Sequence, residues 1–155
     1  MSKAEALWEI NNEYRKRLSL LMGHMNLLEQ ILKMQDNAEP ALRAAIRHIR
    51  ATLEDIDADH HNWRHTHFYQ PEEGSARRRM VDADAAIMKA LQTFTVTLSS
   101  HLRHFDAIAE TMAAMPQPDP ALTRVIKGGN LWDMCLNELE ALAAFDVFVH
   151  DMLSR

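Results

Sequence analysis

The stretch "LWEINNEYRKRLSLLMGHMNLLEQIL" (7–32) decides the fold. Leu7, Ile10, Tyr14, Leu18, Leu21, Met25, Leu28 and Leu32 advance by threes and fours, the spacing that lines one side of a helix. Nothing in the stretch alternates with the period of two that a half-buried strand requires. The spacing predicts a long amphipathic helix from about Ser2 to Gln35.

The same pattern recurs three times downstream. A second helix starts after Asn37 with Pro40 in its first turn, where the missing N–H costs nothing, and carries Leu42, Ile46, Ile49, Leu53 and Ile56. A third opens at Pro71, with Glu72 and Glu73 suited to the positive end of the helix dipole. It continues to about Met115 on Ile87, Leu91, Phe94, Leu98, Phe105, Ile108 and Met112. A short helix over Pro120–Ile126 ends at Gly128-Gly129, and a last helix begins at Asn130, a good capping residue. It carries Leu131, Cys135, Leu139, Leu142, Val149 and Leu153. Only four glycines and five prolines interrupt these segments. The expectation is an all-α chain forming one domain over 1–155. Its architecture is an up-down-up-down antiparallel four-helix bundle with a short extra helix before the last.

Composition narrows the function classes. A formal charge of −5 argues against a nucleic-acid-binding surface, which needs clustered excess Lys and Arg. The single basic run, Arg77-Arg78-Arg79, is surrounded by Glu72, Glu73, Asp82 and Asp84. One cysteine, Cys135, allows neither an internal disulfide nor a thiolate zinc site. No apolar run approaches the ~20 residues that span a bilayer, and the charged N-terminus lacks a secretory apolar region. A cytoplasmic protein with no membrane or nucleic-acid partner is the expectation.

A site inside a bundle must come from polar residues that interrupt the apolar stripes. Counting at 100° per residue places His24 at the edge of the first stripe, with Arg17 near it and Glu13 one turn from Arg17. On the second helix His60 and His67 prolong the stripe beside Trp63, while His61 and His65 lie outside it. His101 falls within the third stripe. Glu138 borders the fourth and Asp146 lies in it. His24, His101, His60 and a carboxylate from Glu138 or Asp146 would suit iron, manganese or zinc with open coordination positions. Read the other way, each is a hydrogen-bonded core residue, because histidine is often partly buried. Arg17 has two expected partners, Glu13 on its own helix and Asp146 across the bundle. Gly23, costing about 1 kcal/mol in mid-helix, suggests a close approach there.

Three fragments, "LLMGHMNLLEQIL", "HNWRH" and "HLRHFD", resemble pieces of hemerythrin-like proteins at His24, His61/His65 and His101/Asp106. The resemblance implies a non-haem metal bundle. The glutamate that should follow the second-helix histidine and the third-helix histidine pair are absent. The repeated Glu-x-x-His pairs of ferritin-like proteins are absent as well.

Three functions follow as expectations. The first is a non-catalytic bundle that binds a protein partner, a second copy or a small ligand; Trp8, Met22 and Met34, outside the first stripe, would supply an apolar interface. The second is a metal-binding bundle. The third is a histidine phosphotransfer module using His48.

Overall fold

A computed structural model describes residues 3–35, 39–69, 79–80, 84–118, 121, 123–124 and 129–153. Four helices carry nearly all of them: α1 (Lys3–Lys33), α2 (Pro40–His67), α3 (Asp84–Ala114) and α4 (Leu131–Leu153). Helix α1 packs against α2 and α4, and α3 packs against the same two, so α1 and α3 meet only slightly across the middle.

The helix ends follow their local sequence. Glu39 caps α2 in an extended conformation without a side-chain bond, and Pro40 fills the first helical position. At the start of α4, Asn130 Oδ1 accepts the backbone N–H groups of Trp132 at 2.9 Å and Asp133 at 3.4 Å. This bond pairs donors that a helix start otherwise leaves orphaned.

The core follows the apolar stripes of the sequence with amendments on three helices: Leu91 is half-buried while Ala90 beside it is buried, and Trp132 joins the buried set. Tyr14, Leu18, Leu21, Met25, Leu28, Ile46, Leu53, Phe94, Phe105, Cys135, Leu139 and Leu142 have essentially no exposed surface. On α1, however, Asn11 and not Ile10 fills the inward position between Leu7 and Tyr14; Ile10 is half-buried. Truncating any of the buried leucines to alanine should cost about 2–5 kcal/mol.

The third helix does not open at Pro71. Phe68 leaves the helical conformation at φ −120°, ψ 140°, and a two-residue ladder, β1 (Phe68–Tyr69) with β2 (Arg79–Met80), pairs Phe68 with Met80 and Tyr69 with Arg79. The physical reason lies in Phe68. Its extended backbone puts the ring into the core against Trp8 at 5.0 Å and Trp63 at 5.6 Å, a burial that a continuing helix would forfeit. The remainder of 70–83 lies outside the described residues. So does most of the helix expected over 120–126, but Arg124 there forms an isolated β-bridge with Asn130, an extended pairing. Among the described residues no helix is long and apolar enough to cross a membrane.

Candidate functional site: a buried polar layer

One polar layer crosses the bundle at Tyr14. Its hydroxyl lies 2.7 Å from His101 Nδ1, and His101 Nε2 lies 2.9 Å from Asp59 Oδ2. The chain runs from an exposed carboxylate to a buried phenol: Asp59 is 59% exposed, His101 2% and Tyr14 0%. A carboxylate only accepts, so His101 carries its proton on Nε2 and its Nδ1 accepts from the Tyr14 hydroxyl.

His60 and Asp146 beside it are equally buried. The His60 ring packs edge-on against Tyr14 at 4.9 Å, and Phe145 and Phe105 pack against the same phenol at 6.2 and 6.5 Å. His60 Nε2, both Asp146 oxygens and both amide atoms of Asn11 are buried without a hydrogen-bond partner among the described residues. Burial away from water disfavours charge on each group. It pushes His60 down to about 3, helped by His101, Arg64, Arg15 and His61, and pushes Asp146 up to about 8, helped by Asp106. His101 is lowered by desolvation against the pull of Asp59. The Tyr14 hydroxyl is raised far above its ordinary value by desolvation and by Asp146, Asp59 and Asp57. At neutral pH the layer inside Asp59 is therefore uncharged: two neutral imidazoles, a phenol, an amide and a protonated carboxyl.

His24 belongs to a different place. Its Nδ1 lies 2.6 Å from Glu138 Oε1, both side chains about one-fifth to one-quarter exposed. Desolvation raises the Glu138 carboxyl, and His24 opposes the shift. His24 is ten residues along α1 from Tyr14, about 15 Å of helical rise. His24 with Glu138, and His101 with Tyr14 and Asp59, are thus separate networks, with His60 and Asp146 beside the second. Among the described residues no three His, Cys, Asp or Glu side chains converge on a position that could hold a metal ion.

Other expected residues sort in the same way. Arg17 bonds Glu13 at 3.1 Å and lies over the Phe145 ring at 5.2 Å, next to Asp146 in sequence but not paired with it. His67 Nε2 is 3.0 Å from the Thr93 hydroxyl. Cys135 is a buried small side chain whose thiol desolvation and Glu138 push up to about 12. His48 is exposed and lines, with His104, an open groove of about 180 Å³ between α2 and α3. Trp8 and Met22 are half-buried against the core, whereas Met34 is 83% exposed.

Arg64, 7% exposed, and Thr123, with no exposed surface, are buried polar residues that the sequence pattern does not single out, and so are two on α1. Asn11 is one; its signal was the i,i+4 step from Leu7. The other is Glu29, 3% exposed, clasped by Arg50 and approached by Lys33 at 3.5 Å and Arg47 at 3.9 Å. It sits one turn past Met25 on the inward side of α1, a position a continuous-stripe count also reaches.

Gly23 has no close neighbour: a Cβ built there meets nothing within 4 Å. On the outer side of α1 around it three apolar side chains stand exposed among the polar Ser19, Asn26 and Gln30. Leu20 is 54% exposed, Leu27 44% and Met34 83%, each seven residues from the next. No family model, curated protein or solved structure matches the chain, so its function has to be argued from this geometry.

Proposed function

We propose that this chain is a non-catalytic interaction module, an up-down-up-down helical bundle that pairs with a second copy of itself through the outer face of α1. The observation that carries the reading is the exposed line Leu20, Leu27 and Met34. Seven-residue spacing keeps side chains in register along one side of a helix, the pattern of a helix–helix seam. Elsewhere among the described residues the large exposed apolar side chains are Met88 and Val96 on α3 and Val147 and Phe148 on α4, none in such a line.

A second copy is the occupant this face suits. Leu20 and Leu27 stand symmetrically about Gly23 and His24, so a two-fold axis there sets Leu20 of each copy against Leu27 of the other. That self-matching is what an isologous contact requires. Glycine at the crossing lets two backbones approach.

The up-down-up-down course is supported by paired contacts in which numbers rise on one helix as they fall on its neighbour. Tyr14 meets His60 and Glu29 meets Arg50; Asp59 meets His101 and Trp63 meets Phe94; Arg17 meets Phe145 and His24 meets Glu138. Antiparallel neighbours joined by short connections give this bundle class.

Sedimentation equilibrium across a range of concentrations tests the reading. The expected result is a monomer–dimer equilibrium that Leu20→Glu with Leu27→Glu abolishes while helicity is unchanged. A monomer at every concentration overturns it. The competing reading, an iron, manganese or zinc bundle using His24, His101, His60 and Glu138 or Asp146, rests on the polarity of the inward faces alone. Elemental analysis of untagged protein tests it. A stoichiometric ion lost in His24→Ala/His101→Ala would put it first.

A further inference from the structure

A second pair of imidazoles stands apart from both networks, on the outer side of α2. His61 and His65 are four residues apart and exposed, with ring centroids 4.3 Å apart and ring planes at 69°. Residues at i and i+4 lie one above the other on a helix face, and two histidines so placed can each turn a ring nitrogen toward one ion. In this structure the two rings already touch edge to face.

The surroundings carry charge of both signs. Both residues lie near the C-terminal end of α2, which closes at His67, and the last-turn carbonyls favour a cation there. Asp57, half-buried one turn before His61, adds negative charge along the same side. Against these, Arg64 Nη2 lies 3.5 Å from His61 Nδ1. Ligation through Nε2 puts the ring proton on Nδ1, so this outer-limit contact must open, and the guanidinium opposes any weakly held ion. A site of two imidazoles beside an arginine therefore suits an ion with high nitrogen affinity. The stability order of the divalent first-row ions puts copper at its top.

We propose that His61 and His65 form a bidentate surface site for a late first-row divalent ion, copper(II) above nickel(II) and zinc(II), with water in the other coordination positions. Water can reach the remaining positions because both residues are exposed. The site is independent of the pairing face on α1. Its ligands must be neutral, so binding releases protons and weakens in acid.

The test is copper(II) titration of the full chain, stripped of metal beforehand, read by electron paramagnetic resonance and by isothermal calorimetry. The expected result is one ion per chain with hyperfine structure from two nitrogens. His61→Ala and His65→Ala should each weaken binding by roughly tenfold or more, since even loss of an outer-shell partner costs 10–100-fold. His48→Ala, at an exposed imidazole on the same helix but outside the pair, should leave it unchanged. Both site residues are exposed, so the variants should keep wild-type helicity, which circular dichroism checks. Binding of equal strength in wild type and in His61→Ala/His65→Ala, or a spectrum without two nitrogens, overturns the proposal.

Discussion

The Tyr14 hydroxyl and His101 Nδ1, 87 residues apart in sequence and 2.7 Å apart in space, join opposite helices of the bundle through its core. Neither group meets water, so each depends on the other for its hydrogen bond. Tyr14→Phe keeps the ring against His60, Phe105 and Phe145 but strands the imidazole acceptor. Leaving a buried polar atom unpaired costs about 1–3 kcal/mol, and urea denaturation should show a loss of that size. Asp59→Asn should cost less than 1 kcal/mol, because Asp59 is more than half exposed and an amide oxygen still accepts from Nε2. Nitrogen NMR of the wild type should find His101 protonated on Nε2 alone. A neutral Tyr14→Phe would show that the bond contributes nothing.

The buried layer also predicts how stability depends on pH. Asp146 titrates at about 8 in the folded chain, against an ordinary value of 3.8. The folded state thus holds a proton that the unfolded state has lost, and stability falls as pH rises across that window. His60 runs the other way. It titrates at about 3 when folded and 6.5 when not, so its contribution increases from pH 3 to 6.5. The two oppose each other up to pH 6.5, and His101, also lowered, sides with His60. From pH 6.5 to 8 Asp146 acts without that opposition. Wild-type stability should decline there at up to about 1.36 kcal/mol per pH unit, and Asp146→Asn should flatten the decline. Parallel denaturation curves at pH 6.5 and 8 for the two proteins decide it; equal slopes would remove Asp146 as the cause.

The helices were legible in the sequence because burial repeats every three or four residues on each of them, from Leu7 to Leu32 and from Ile87 to Met112. What periodicity could not supply was the partner of each inward polar group. His101 meets Tyr14 only because α1 and α3 stand at particular relative heights, and the connection over 70–83 conceals that offset. In the same way the break at Gly128-Gly129 leaves the register of α4 unspecified by periodicity, and that register decides whether Glu138 or Asp146 faces His24. Asn11 was displaced by Ile10 for a different reason: hydrophobicity ranked the neighbour first, although both sit near the stripe's edge. The ladder at Phe68–Tyr69 is two residues long, too short for any alternation to show.

Glu29 offers a test of buried charge with an asymmetric outcome. Its carboxylate is almost fully covered, while Lys33 and Arg47 around it are about half exposed and Arg50 partly so. Removing the anion frees cations that water can solvate; removing the closest cation leaves a covered anion. Arg50→Ala should therefore approach the about 3–5 kcal/mol typical of breaking one side of a buried pair, moderated by Lys33 and Arg47. Glu29→Leu should be close to neutral. Chemical denaturation of both variants checks the order. Equal losses would mean that packing of the Glu29 stem, and not desolvation of its charge, sets the cost.

Gly23 separates the stability of α1 from its role in pairing. A mid-helix glycine is about 1 kcal/mol worse than alanine, and no neighbour within 4 Å repays that cost inside the chain. Gly23→Ala should therefore stabilise the monomer by about that amount, seen as a higher melting temperature under conditions where the protein is dissociated. At the proposed crossing point of two α1 helices the added methyl lies between backbones that glycine allows to approach. The same substitution should then weaken dimerisation in sedimentation equilibrium, and Gly23→Leu should weaken it further. A gain in monomer stability with undiminished association would move the contact off Gly23, toward Met34 or away from α1. A loss in both would show that Gly23 serves the fold itself.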